Sequence, residues 1–157
     1  MFTHDAADRQ STAQGDLVDA LVQASFMTMA LLSKVAAEHE LSLTQLRVLA
    51  ILRDRRLKMS ELADYLGLDK STMTGLIDRA EKRSLLARAR NPTDGRAVDV
   101  FLSIDGSELA ERLYTQIATS MSPMTAMLTA ADQRRVQSLL AHLLAGGEGG
   151  PRTRTER

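Results

Sequence analysis

Residues 41–104, LSLTQLRVLAILRDRRLKMSELADYLGLDKSTMTGLIDRAEKRSLLARARNPTDGRAVDVFLSI, set their elements in an order that few folds share. Three helical segments are followed by two strand-like runs, LLARAR and AVDVFLS, joined by NPTDGR. In the first run Leu86, Arg88 and Arg90 alternate with Ala87 and Ala89. In the second, Val98, Val100 and Leu102 alternate with Asp99, Phe101 and Ser103. A period of two over short runs marks half-buried strands. Between them Pro92 fixes one backbone angle, and Asp94-Gly95 supplies turn residues tolerant of positive φ. Helices followed by such a hairpin are the pattern of a winged helix-turn-helix, which places one helix in a DNA major groove.

The helix pair upstream carries its own punctuation. Ser60 to Leu66 has Leu62, Ala63 and Leu66 at helical spacing, and Gly67 suits the left-handed residue that ends a helix. Asp69 is a good N-cap for the next helix. There Met73, Leu76, Ile77 and Ala80 fall at i, i+3, i+4 and i+7, one buried stripe. The opposite face presents Ser71, Gly75, Asp78 and Lys82, flanked by Thr72, Thr74 and Arg79. Small hydroxyls at the helix start suit base edges, and cations further along suit phosphates. A polar helix face is ordinarily a solvated face, and only its place between a short helix and a wing points to DNA.

The stretch LDKSTMTGLIDRAEKRSLLARARNPTDGRAVDVFLSIDG resembles the core of MarR-type transcriptional regulators. The motif runs STMTxLIDRxEKRxL through the helix and DGRAVxVxL through the wing, and the resemblance extends over residues 16 to 145. It implies an obligate homodimer, a palindromic operator in double-stranded DNA, and repression relieved by a small ligand or an oxidant. It also implies that the ligand, often phenolic, binds between the dimerisation helices and the winged domain. Three positions depart from the family pattern. Gly75 stands where a large, often basic, residue is common, which bears on how the operator is read. Ala80 replaces a usual leucine, and Ser84 a usual glycine, so a tighter helix packing and a different helix exit are expected.

The flanking segments build the rest of the expected architecture: mainly α with a small β-hairpin wing, a winged helix-turn-helix plus a helical dimerisation region. Residues 16–42 and 104–145 form the helical region, 43–103 the winged domain, and residues 1–15 and 146–157 disordered ends. The first long helix has two apolar stripes, Val18, Val22, Phe26, Met29 and Ala36, and Leu17, Leu21, Ala24, Leu31 and Val35. A helix apolar on more than one side is buried on more than one side. Ser103 can cap a helix carrying Leu109, Leu113, Ile117 and Met121, which Pro123 should kink or interrupt. Thr129 can cap a last helix with Val136, Leu139, Leu140, Leu143 and Leu144. Such surface exceeds what one winged domain can cover, and a second copy is the natural partner. The tail GGEGGPRTRTER is charged and of low complexity.

Composition narrows the function. Aromatic residues are only 3% of the chain, and leucine, alanine and methionine dominate the apolar set, favouring helix. Cysteine is absent, which excludes disulfides, thiolate metal sites and thiol-based oxidant sensing. The eight methionines, among them Met27, Met29, Met59, Met121, Met124 and Met127, suit an adaptable apolar pocket as well as ordinary core filling. Net charge is zero, yet residues 53 to 96 hold 11 Lys+Arg against 7 Asp+Glu, while the remainder holds 9 against 13. No unbroken apolar run of about 18 residues occurs, so no membrane span is expected. The N-terminal MFTHDAADRQ is polar and acidic, unlike a secretory signal, and a cytoplasmic location is expected.

Catalytic chemistry is not evident. His4, His39 and His142 lack metal-ligand spacing, and no serine sits in a nucleophile elbow. No cofactor, metal site or enzymatic activity is therefore expected. The residues expected to meet DNA are Ser71, Thr72, Thr74, Gly75, Arg79, Lys82, Arg88, Arg90, Asp94 and Arg96, with Arg96 in a minor groove and its guanidinium oriented by Asp94. The function this favours is a dimeric, sequence-specific transcriptional repressor released by a small ligand. The alternative is a winged-helix module that binds a protein through the same surface.

Overall fold

The computed structural model describes residues 3–147, and the side chains of residues 14–145. The element order is α1 (Thr3–Glu38), α2 (Leu43–Leu52), β1 (Leu57–Lys58), α3 (Met59–Leu66), α4 (Lys70–Lys82), β2 (Leu86–Arg90), β3 (Val98–Leu102), α5 (Ile104–Thr125) and α6 (Ala130–Gly147). The fold is mainly α with a small antiparallel sheet, and α2 through β3 form a winged helix-turn-helix. Residues up to Ile117 make one compact unit and those from Ala118 on a second, the division lying within α5.

Caps set the helix boundaries. Ser42 and Gln45 close a reciprocal capping box on α2, Ser42 Oγ accepting from the Gln45 amide at 3.1 Å and Gln45 Oε1 from the Ser42 amide at 2.8 Å. Asp69 caps α4 by accepting from the Ser71 and Thr72 amides, both at 2.9 Å. Ser103 Oγ accepts from the Gly106 amide at 3.0 Å to start α5, and Thr129 Oγ1 accepts from the Asp132 amide at 3.2 Å to start α6. Each of these satisfies amides that a helix leaves unpaired at its first turn.

Three helix exits use left-handed residues: Glu40 at φ 55°, Gly67 at φ 66° and Ser84 at φ 56°. At Ser84, φ lies in the left-handed region that favours glycine. The serine adopts the turn despite its Cβ, and the Leu85 amide reaches back to the Ala80 carbonyl at 3.0 Å. Ala80 is buried but lines a small cavity of about 10 Å³ with Leu41, Val48, Leu76 and Leu85.

The sheet has strand order β1–β3–β2, all antiparallel. Its third strand is the two-residue β1, which pairs Leu57 with Val100 and Lys58 with Asp99. Because β3 is central, its burial does not alternate cleanly, and Asp99 is buried at 4% exposure. The Asn91 amide nitrogen donates to Asp99 at 2.7 Å, which offsets the cost of burying the carboxylate.

One core joins α1 to the winged segment and the start of α5. Val35 and Ala36 of α1, Val48, Leu49 and Leu52 of α2, Leu62, Met73, Ile77, Val100, Leu109 and Leu113 form a single buried cluster. The start of α5 approaches so closely that a Cβ built on Gly106 would lie 1.9 Å from the Leu85 carbonyl oxygen. The Ser103 amide bonds that same carbonyl at 3.1 Å, and Ser103 Oγ bonds the Ser84 carbonyl. The exit of α4 is therefore clamped to the entry of α5.

Elsewhere the helices differ from the expected bounds. The first helix begins at Thr3, not at residue 16, so most of the expected disordered arm is helical. The last helix runs to Gly147, and the expected tail from 148 on lies outside the described residues. Helix α5 passes through Pro123 and ends shortly beyond it at Thr125. Within the stretch Gln14–Glu38 of α1, 25 residues long, an 18-residue window reaches a mean hydropathy of 1.4, by length and composition apolar enough to cross a membrane. The helix reaches that composition with Asp16, Asp19 and Lys34 interspersed, so the lack of an unbroken apolar run does not by itself exclude it.

Two substitutions test the α4–α5 junction. Ser84→Gly should raise stability by about 1 kcal/mol, because the left-handed conformation costs a residue with a Cβ about that much. Gly106→Ala should lower it by about 1–3 kcal/mol through forced displacement of backbone. Urea unfolding measures both, and a destabilised Ser84→Gly would show that the serine side chain contributes more than its backbone strain removes.

Candidate nucleic-acid interface

Helix α4 buries Met73, Leu76, Ile77 and Ala80 and leaves its polar side outward. Three hydroxyls begin that side, and all three donate their protons within the helix. Ser71 Oγ and Thr72 Oγ1 each bond the Asp69 carboxylate at 2.6 Å, and Thr74 Oγ1 bonds the Lys70 carbonyl at 2.8 Å. Their lone pairs remain, so these hydroxyls are available as acceptors, the chemistry that suits an adenine or cytosine amino group. The hydroxyls of Ser71 and then Thr72 hold the Asp69 carboxyl well below the usual carboxylate range. The cap stays ionised through all mildly acidic conditions.

Arg88 on β2 reaches back to α4. Its Nε donates to Glu81 at 2.8 Å, and its Nη2 donates to both Glu81 and Asp78. Its hydrogen bonds to Glu81 and then to Asp78 raise its pKa further above the ordinary guanidinium value. The side chain is half-buried and its Nε and Nη2 are engaged, so Arg88 ties the wing to the recognition helix. Asp94 likewise does not pair with the Arg96 guanidinium. One of its oxygens accepts from the Arg96 backbone amide at 3.2 Å, and the other faces Lys58 Nζ at 3.6 Å. Asn91 Oδ1 accepts from the amides of Thr93 and Asp94, folding the wing loop onto itself.

The cations of the segment sort into two groups. Arg53 stacks on Tyr114 at 4.2 Å, Arg56 stacks on Phe101 at 3.9 Å, and Arg55 pairs with Asp54. Arg83 bonds the carbonyls of His39 and Glu40 at the end of α1. Lys58 and Arg88 have the partners given above. Among the described residues the side chains of Lys70, Arg79, Lys82, Arg90 and Arg96 make no ion pair, cation–π contact or hydrogen bond, and all are exposed. They lie on α4 and on the wing.

Lys70 was not among the residues expected from sequence. A cation in the first turn opposes the helix dipole, and that local misfit was the available signal. A groove of about 530 Å³ separates helix from wing, walled by Met59, Met73 and Val98 with Lys58, Lys70 and Arg96 at its rim. Met59 is the one methionine of the expected pocket set that lines it; Met27, Met29, Met124 and Met127 are exposed.

This geometry defines a winged helix-turn-helix with an unpaired basic face on its recognition helix and hairpin. The MarR family model matches residues 39–97. The transcriptional repressor MdtR of Bacillus subtilis is 30% identical over 105 residues, 66% of this chain and 68% of that protein. The homoprotocatechuate degradative operon repressor of Escherichia coli is 27% identical over 132 residues, 83% of this chain and 89% of that protein. The crystal structure of NadR in complex with 4-hydroxyphenylacetate superposes with a TM-score of 0.68 at 23% identity, covering 79% of this chain and 89% of that one. The chain belongs to the MarR family of transcriptional regulators, whose winged helix binds DNA; its relatives are regulators, a non-enzymatic role.

Arg88 and Arg96 should separate in mutagenesis. Arg88→Ala should cost about 1.5–3 kcal/mol of stability, since two carboxylates lose a charged hydrogen-bond partner. Arg96→Ala should stay within about 0.5 kcal/mol of wild type, as exposed substitutions do, while weakening binding to any duplex. Thermal melts and fluorescence titrations read the two effects, and equal stability loss in both variants would contradict the division of roles.

Proposed function

We propose that the chain is a homodimeric, sequence-specific DNA-binding repressor, released from a palindromic operator by a small ligand. The observation that carries this is the sorting of cations. Within the winged segment Arg53, Arg55, Arg56 and Arg83 are occupied by aromatics, a carboxylate or carbonyls, whereas on the two reading elements Lys70, Arg79, Lys82, Arg90 and Arg96 have no such partner among the described residues and Arg88 is held by carboxylates. A face built that way attracts phosphate without needing net positive charge. Ser71, Thr72, Thr74, Gly75 and Arg79 then lie toward base edges, Lys70, Lys82 and Arg90 toward phosphates, and Arg96 toward a minor groove. Arg88 and Asp94 position the wing.

Two copies are supported by apolar faces left open within the single chain. Leu17, Val18, Val22, Phe26 and Met29 of α1 are exposed, Phe26 to 69%. On α6 Val136, Leu139, Leu140, Leu143 and Leu144 are exposed, Leu144 to 69%. Contiguous apolar surface of this kind marks an interaction site. The stripe on α1 also accounts for its membrane-like hydropathy, with Asp16, Asp19 and Lys34 breaking it. Ligand release is supported by NadR, which was crystallised with 4-hydroxyphenylacetate, and by an operon repressor named for an aromatic catabolic route.

The assembly is checked by light scattering, which should give a dimer at micromolar concentration, and by binding to duplexes with half-site centres about 10 base pairs apart. The logarithm of affinity should fall linearly with that of salt concentration, and Lys82→Ala should lessen the slope by roughly 1 for each phosphate contact removed. A monomer, or an affinity indifferent to salt, contradicts the reading.

A further inference from the structure

We propose that Arg79 is the specificity-determining residue of α4, reading a guanine through the space left open by Gly75. The inference rests on the DNA-binding reading above. A Cβ built on Gly75 would sit 3.4 Å from Arg79 Nη1, so the guanidinium lies across the glycine one turn toward the helix start. That is the direction in which helical side chains lean. A side chain of several carbons at position 75 would occupy the same volume and push the guanidinium aside. Glycine in a helix interior costs stability relative to alanine, and this placement gives that cost a use.

Two further observations hold Arg79 available. The neighbouring carboxylates of α4, Asp78 and Glu81, are both engaged by Arg88 and do not draw the guanidinium away. Asp69, at the start of the helix, is occupied by the hydroxyls and amides of Ser71 and Thr72. Arg79 is therefore a charged fork with no partner among the described residues, carried back toward the half of a recognition helix that contacts base edges. A guanidinium there matches the N7 and O6 acceptors of guanine with two parallel donors. Lys82 lies further along α4, toward its C-terminal end, where a cation meets phosphate and carries no sequence information. Gly75 thus serves to seat Arg79.

The test is selection from a pool of random-sequence duplexes, run on the full chain and on Arg79→Ala, Arg79→Lys, Gly75→Leu and Lys82→Ala, each with a thermal melt to show that it is folded. Wild type should select a two-fold symmetric consensus with a guanine preferred in each half-site. Arg79→Ala and Arg79→Lys should lose that guanine, with the ratio of selected to random affinity falling about tenfold or more, as one lost bidentate contact implies. Gly75→Leu should lose it as well, although Arg79 is intact. Lys82→Ala should weaken selected and random duplexes alike and keep the consensus. If the Arg79 variants or Gly75→Leu retain the same guanine and the same ratio, the proposal is overturned. If wild type selects no consensus at all, the DNA-binding reading fails first, and the two failures are told apart by that control.

Discussion

The attachment of Arg88 to Asp78 and Glu81 is the contact on which the functional face depends. A helix and a hairpin contributed by separate stretches of sequence read DNA together only if their relative position is fixed. Arg88 fixes it from the centre of β2, opposite Val100 of the buried central strand. Two carboxylates on one face of α4 meet a guanidinium that is half-buried, where charged hydrogen bonds are stronger than at an open surface. The same contact offsets part of the negative charge of two acids that would otherwise repel phosphate from the recognition helix. A second tie, Lys58 to Asp94, and the Asn91–Asp99 bond extend the fixation to the hairpin tip.

Charge in this chain is organised by occupancy more than by sum. Acidic and basic residues balance over the whole sequence, and a count along the chain shows only a modest basic excess in the winged segment. The three-dimensional arrangement sharpens it. Arg53, Arg56 and Arg83 serve packing and helix ends, while Lys70, Arg79, Lys82, Arg90 and Arg96 are left exposed to water on α4 and the wing. The apolar stripes of α1 and α6 show the complementary pattern, with large side chains left uncovered. Each unsatisfied feature, whether cation or apolar stripe, calls for a partner of matching chemistry.

The sequence made legible what is local. Helical spacing located α3 and α4, and Asp69, Gly67, Ser103 and Thr129 take the capping roles that their types favour. Alternation located β2 and β3. What escaped depends on contacts between distant residues. Two residues, Leu57 and Lys58, cannot announce a strand by periodicity, and become one only by pairing with β3. Arg88 and Arg96 look alike as basic residues on one hairpin, and only the facing acids of α4 distinguish an anchor from a free cation. Asp94 was given the Arg96 guanidinium by proximity in sequence, whereas its side chain turns to Lys58. Ser84 is not of a type that announces a left-handed turn, and the clamp between α4 and α5 holds it in one.

Hydroxyl-radical footprinting on a selected duplex tests the central claim, that Arg88 makes α4 and the wing one rigid reader. Wild type should protect the backbone sugars that flank the groove under α4 and those that line the minor groove under the wing, in fixed register. Arg88→Ala, at a concentration that saturates the duplex, should keep the first protection and lose or smear the second. A footprint unchanged by Arg88→Ala would contradict the account, because the wing would then be positioned without its tie to α4.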